Sequence, residues 1–376
     1  MPASAAVLGS GSRGMEKAPR KNPGKRMSED ISKPLRRTLA AIALAGTLSA
    51  GVAAAAEPSG PLTIARQGSF FVGGRSVASD TLSTLPAYAP SGTIAVDQVY
   101  VRYQIPVEAK RPSVVLIHGC CLTGKTWETT PDGRMGWDEF LVRAGFPTYV
   151  IDQAGRGRSA VDPSAINAVK TGKAAPETLP PVVSAGQEPA WAIFRFGPKY
   201  PEVFPGMQFP LEAQAEFWKQ MVADWAATLP SPNPTVPALS ELAKKLDGAI
   251  LISHSQSGIY PFQTAALDRA GIRGLVAIEP AACPDPAKDD MAPYKDLPIL
   301  VLWGDYVDLS PRWAPRLKLC RAFVEAANKA GGKAELVLLS DVGMRGNSHM
   351  LMQDRNSLDV AAWLTAWLDA HVPVRP

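Results

Sequence analysis

Six short apolar runs, each followed or preceded by a stretch of helical pattern, constrain this chain more than any other feature. Ser113–His118, Pro147–Asp152, Gly248–Ser253, Gly274–Ile278, Leu297–Trp303 and Glu335–Leu339 are five to seven residues long and rich in Val, Ile and Leu. Runs that short and that apolar read as strands buried on both faces, as in a parallel sheet. Helical patterns fall between or after them at Gly136–Ala144, Ser257–Arg269, Pro311–Ala330, which stops at Gly331-Gly332, and Asn356–Ala370. Two earlier segments, Leu62–Ala78 and Thr93–Ile105, carry the Val, Ile, Phe, Tyr and Thr of further strands. The alternation predicts an α/β fold, a mostly parallel twisted sheet with helices on both faces. Function in such sheets lies at the carboxyl ends of the strands, which is where the residues below are sought.

With 46% hydrophobic and 20% charged residues among 376, the chain is of ordinary globular composition. Disordered, collagenous and multi-pass membrane classes are excluded. The formal net charge of +4 comes from the N-terminus. Nine bases and three acids lie in residues 1–37, so the remainder holds 30 bases against 32 acids. No basic face remains for nucleic acid, and that partner class is rejected.

The basic stretch ends at Arg36-Arg37 and runs into Thr38–Ala56, which carries no charge and closes on Ala54-Ala55-Ala56. A positive segment, an apolar segment and an Ala-x-Ala end describe a secretory signal peptide, so residues 1–56 are expected to be a leader cleaved near Ala56. Met27 is an alternative start. The apolar stretch is too rich in Ala, Gly, Ser and Thr for a stable membrane span, which needs about 20 strongly apolar residues. A periplasmic or secreted protein follows, whose four cysteines, Cys120, Cys121, Cys283 and Cys320, are then permitted two disulfides. The histidines are scattered and no Cys-x-x-Cys occurs, so neither a metal centre nor an organic cofactor is expected. Residues 57–376 read as one domain. Within it, about 160–237 is broken by thirteen prolines and contains one helical pattern, Leu211–Thr228. That stretch is expected to be a cap-like insertion over the sheet.

At the end of the Gly248–Ser253 strand stands Ser253-His254-Ser255-Gln256-Ser257-Gly258. A nucleophile on a sharp strand-to-helix turn needs small neighbours two residues away, and serine is small. Ser255 is therefore the candidate nucleophile. A hydroxyl needs a base, and His349, between the last strand and the last helix, is the candidate. Glu279 and Asp305 each follow a strand, and spacing alone does not separate them as the acid that orients the base. Two N–H donors for an oxyanion are expected from Gln256, after the nucleophile, and from Cys120 in the loop His118–Cys121. Adjacent cysteines have Cα atoms about 3.8 Å apart, below the ordinary disulfide range. A Cys120–Cys121 bond would thus be strained, and two free thiols stay open as the alternative. Asp152–Ser159 (DQAGRGRS) fits a dinucleotide fingerprint only loosely, since prolines follow where a helix is required, and reads as a tight turn.

These motifs, HG after an early strand, DQAGRGRS, SHSQSG and a late histidine, resemble the α/β-hydrolase superfamily from residue 93 to the C-terminus. Within it the chain is similar to a small group of bacterial esterases typified by one from Alcaligenes. The similarity lies in HGCCLTGKTWETTPDGRMGWDEF, AWAIFRFGP, QFPLEAQAE, SHSQSGIYPFQTAA, RWAPRLK and GNSHMLMQDRN. The resemblance implies a triad of Ser255, His349 and Glu279, an oxyanion hole from Cys120 and Gln256, and disulfides Cys120–Cys121 and Cys283–Cys320. One departure, Gly343-Met344-Arg345 before the histidine, bears on the substrate. The expected function is an exported serine hydrolase cleaving a small carboxylic ester through an acyl-enzyme, without cofactor, with a homodimer left open. A lactonase, an amidase or a carbon–carbon hydrolase could use the same triad, and a non-catalytic exported binding protein could keep the scaffold. A halide-releasing enzyme would need an aspartate where Ser255 stands.

Overall fold

The computed structural model of the protein describes residues 60–224 and 233–373. The expected leader, 1–56, and its cleavage point lie outside them.

Eight strands form one sheet: β1 (Ile64–Ser79), β2 (Gly92–Pro106), β3 (Ser113–Ile117), β4 (Thr148–Asp152), β5 (Ala249–His254), β6 (Ile272–Ile278), β7 (Pro298–Trp303) and β8 (Lys333–Leu338). They lie in the order β1-β2-β4-β3-β5-β6-β7-β8. The β1–β2 and β2–β4 pairs are antiparallel and all the others parallel. The continuous apolar runs explain the parallel part. Ala249 and Leu251 of β5 point into one core cluster and Ile250 and Ile252 into the other, so both faces are covered. On the first face pack α5 (Thr235–Lys245), α6 (Tyr260–Leu267) and α7 (Ala314–Lys329), through Leu239, Phe262, Leu317 and Phe323. On the second pack α1 (Trp137–Arg143) and α8 (Ser357–His371), through Leu141, Val360 and Leu364. Shorter helices α2 (Ser164–Lys170), α3 (Gln187–Trp191) and α4 (Gln214–Trp218) lie in the proline-rich segment. Cys283, in the loop after β6, is disulfide-bonded to Cys320 of α7.

One expectation is corrected. The helix expected over 211–228 holds only as a 3₁₀ turn at Leu211–Ala213 followed by α4. Beyond Trp218 the backbone makes tertiary bonds instead: the Val222 N–H donates to the Cys121 carbonyl at 2.9 Å, and Asp224 pairs with Val183. Residues 225–228 lie outside the described range. The proline-rich stretch ends in α5, which begins among Pro234 and Pro237. Both prolines fall at its start, where the first N–H groups have no intrahelical acceptor and the proline ring costs nothing.

Parallel register brings the functional ends level. His254 of β5 pairs with Ile278 of β6, so the next residues, Ser255 and Glu279, emerge side by side. Ile117 of β3 pairs with Ser253, which sets the loop after β3 on the other flank of Ser255.

Candidate active site

Ser255 has a φ of 57°, the left-handed region that an L-residue occupies only under local constraint. The constraint is steric crowding on both sides. A Cβ added at Gly119 would stand 2.9 Å from the Ser255 Cβ, and one at Gly258 would stand 2.4 Å from the Pro280 Cβ. Both positions thus admit only glycine without rearrangement. Ser257 is buried and its hydroxyl donates to the carbonyl of His254 at 3.0 Å, pinning the turn. Cys121, Arg195 and Glu279 also have φ between 52° and 59°; Arg195 and Glu279 border His349, and Cys121 lines the same cavity as Ser255.

The Ser255 hydroxyl stands 2.8 Å from His349 Nε2, and His349 Nδ1 stands 3.0 Å from the Glu279 carboxylate. The histidine comes from a loop held at several points. Asp354 accepts from the Ser348 N–H at 2.8 Å, the Ser348 hydroxyl at 2.6 Å and the Asn347 amide at 3.0 Å. The His349 N–H donates to the Phe194 carbonyl at 2.9 Å. Its ring lies 4.3 Å from that of Trp313 and 4.7 Å from that of His254. Burial pushes the His349 imidazole below the ordinary histidine range, against the upward pull of Glu279, with Arg195 and Arg312 adding to the downward shift. It is neutral at neutral pH, the form in which an imidazole can accept a proton. The two acids that spacing left open are now distinct. Glu279 faces the imidazole, whereas Asp305 accepts from the Gly346 and Asn347 N–H groups and so holds the loop.

Neighbouring histidines have other tasks. His254 Nε2 is 2.8 Å from the His349 carbonyl, and its ring is neutral because burial lowers its pKa to about 3. His118 accepts from the Gln153 N–H at 3.1 Å, and burial lowers it to about 4.

Two arginines that sequence reasoning missed complete the site. Arg195 is buried and holds Glu279 with both ends of its guanidinium, while its Nε donates to the Asp305 carbonyl at 2.8 Å. Burial alone would raise the Glu279 carboxyl, but the Arg195 charge and the hydrogen bonds from His349 and Arg195 bring it down to about 2. Arg156 comes from the DQAGRGRS turn. Its guanidinium donates to the Gly119 carbonyl at 2.6 Å and to the Gln256 side chain, and it pairs with buried Asp224 at 2.8 Å. Asp224 in turn accepts from the Cys121 N–H at 3.2 Å. The pair clamps the loop after β3 against the turn that carries Ser255. A usable signal was present in AWAIFRFGP, where a charged Arg195 sits among aromatic residues that bury it and so demand an acid.

Cys120 and Cys121 stand with sulfurs 2.8 Å apart, as two thiols. That is closer than unbonded sulfurs pack and longer than a disulfide bond of about 2.05 Å. With Asp224 they form a cluster whose ligand atoms lie within 4.8 Å of one another, but Asp224 is already neutralised by Arg156. Among the described residues, no hydrogen bond engages the N–H of Cys120 or of Gln256. A cavity of about 440 Å³ opens beside Ser255, walled by Val183, Ile193, Phe194 and Trp313 with Cys120 and Gln256. A larger one of about 660 Å³ lies behind Gly304–Leu309 and includes none of Ser255, His349 or Glu279. No helix among the described residues is long and apolar enough to cross a membrane.

No protein-family model matches the chain. Among curated proteins, "Probable secreted lipase phiG" of Fungal sp. (strain ATCC 74256) is 25% identical over 319 residues, 72% of this chain and 85% of its own length. A solved structure described as a novel bacterial esterase at atomic resolution is 60% identical, with a TM-score of 0.83, covering 85% of this chain and 99% of its own. With that identity running through almost all of the bacterial esterase, and with the sheet order found here, the chain belongs to the esterases of the α/β-hydrolase superfamily and is a carboxylic ester hydrolase.

Proposed function

We propose that the enzyme is an exported serine esterase that works through an acyl-enzyme on a triad of Ser255, His349 and Glu279. The observation that carries the reading is the unbroken contact chain, 2.8 Å from the Ser255 hydroxyl to His349 and 3.0 Å from His349 to Glu279. His349 Nε2 takes the Ser255 proton as the hydroxyl oxygen attacks the ester carbonyl. The imidazolium so formed is held by Glu279, whose carboxylate is ionised at any working pH because it titrates at about 2. The oxyanion is received by the Cys120 and Gln256 N–H groups, on a loop that Arg156 and Asp224 hold in place. His349 then returns the proton to the leaving alkoxide, and water activated by the same imidazole releases the acid. A Cys120–Cys121 bond belongs to the same proposal. Their sulfurs are already within reach, and closure in an oxidising compartment would lock the oxyanion loop.

Export is supported by the charged-then-apolar leader with its Ala-x-Ala end, and by the secreted character in the curated relative's name. The segment 160–237 acts in this reading as a cap, since Val183, Ile193 and Phe194 within it wall the cavity. A fluorophosphonate probe tests the triad. Labelling of the wild-type protein that disappears in Ser255→Ala is expected. Undiminished labelling in that variant, or none in the wild type, would overturn the reading.

A further inference from the structure

We infer that the substrate pocket is built for an ester bearing a second, anionic group, with Arg312 as the residue that selects it. The inference rests on the assignment of Ser255 as nucleophile and names the class of substrate that nucleophile is offered.

The cavity beside Ser255 is apolar along most of its wall, and its volume of about 440 Å³ suits a ligand of modest size. Its only charged lining residue is Arg312; Ser184, Ser255, Gln256 and the two cysteines supply the remaining polarity. No carboxylate lines it, and among the described residues Arg312 makes no ion pair. The contrast is with Arg156 and Arg195, the two guanidiniums next to the reacting groups, which are each buried against an acid. Arg312 thus presents the one uncommitted positive charge to whatever occupies the pocket.

Its backbone is anchored while its side chain is exposed at the pocket wall. Trp313 is buried, its ring packed against that of His349 and its indole N–H donating to the Ile193 carbonyl at 2.8 Å. Arg316, one turn on, donates to the Ala281 carbonyl at 3.0 Å and to the Arg312 carbonyl, so both flanks of the residue are tied to the pocket wall. Arg312 itself lies over the Trp313 ring, 5.8 Å from its centre. A guanidinium set above an aromatic wall offers a carboxylate two parallel N–H donors while the ring meets the apolar part of the same substrate.

The test compares two activated esters matched in length, 4-nitrophenyl butyrate and the mono-4-nitrophenyl ester of succinic acid. The wild-type enzyme should favour the succinate by kcat/KM. Arg312→Gln should lower that preference about 10- to 100-fold, the worth of one hydrogen bond to a charged group. Arg312→Lys should keep part of it, and Arg312→Glu should reverse it. The wild-type preference should also shrink as salt rises. A succinate-to-butyrate ratio that is the same in wild type and Arg312→Gln would overturn the inference, as would a wild-type preference for the butyrate. Failure of the underlying reading looks different: neither ester would be turned over and the fluorophosphonate would not label Ser255.

Discussion

Arg195 is the most informative residue to perturb, because the structure assigns it a specific electrostatic task. Its guanidinium neutralises Glu279 and reaches to 3.5 Å from His349 Nδ1. The imidazolium formed in turnover therefore faces a pair that sums to zero charge, and burial keeps its pKa low. In Arg195→Met the carboxylate would remain with the Gly304 N–H and the imidazole as partners but without a counter-charge. A unit charge about 4 Å away is worth roughly 4 kcal/mol at an effective dielectric constant near 20. A third of that equals about one pKa unit. The acid limb of kcat/KM, which reports the free enzyme's base, should thus move to higher pH by at least about one unit. Stability should drop by about 3–5 kcal/mol, the usual result of stripping one partner from a buried ion pair. Two measurements check this, the pH–rate profile on an activated ester and urea unfolding. If the methionine variant folds too poorly to assay, Arg195→Lys keeps the charge and loses the fork. It should show reduced turnover with an acid limb close to that of the wild type. A folded Arg195→Met enzyme whose acid limb has not moved would refute the electrostatic argument.

Three other outcomes are expected. Glu279→Gln should cut kcat/KM by roughly a thousandfold or more, because it loses the charge that holds the imidazolium, while Asp305→Asn, which disturbs only loop amides, should cost less than about a hundredfold; the opposite ranking would reassign the acid. Mild reductant should lower turnover before global unfolding if Cys120 and Cys121 are bonded in the exported protein, and unchanged activity alongside confirmed thiol release would defeat that assignment. Stability to urea should decline as pH falls from about 6.5 toward 4. Burial depresses His118, His254 and His349 in the folded state, so the unfolded chain binds more protons below 6.5. Asp354, which burial raises to about 7, works in the opposite direction as one group against three. A urea midpoint that rose on acidification would contradict the neutral burial of those histidines.

What could be read from the chain was whatever depends on neighbouring residues. The six apolar runs became β3 to β8; for β3 to β7 the reason is that a strand covered on both faces must be largely apolar, which is visible locally, while β8 lies at the sheet edge and is only partly buried. Ser255 was legible for a similar reason: a strained turn imposes small residues within two or three positions of itself. The choice between Glu279 and Asp305 was not, since both follow adjacent strands and differ only in what meets them. Nor was the end of the 211–228 helix, which is decided by the Cys121 carbonyl about a hundred residues earlier in the chain. Arg195 joins these cases, because its acid lies 84 positions away. Yet the last of these cases, Arg195, left a clue that sequence reasoning had the means to use. A guanidinium among Trp191, Phe194 and Phe196 cannot be buried alone, so some strand end must supply its carboxylate. An acid already paired in this way is ionised at every pH the enzyme meets, and it pulls less on the imidazole than a bare carboxylate would. His349 then stays neutral and ready to accept a proton. In the proposed triad the histidine therefore depends on Arg195 as well as on Ser255 and Glu279, and that further partner was written in the chain as a charge with no local reason to be there.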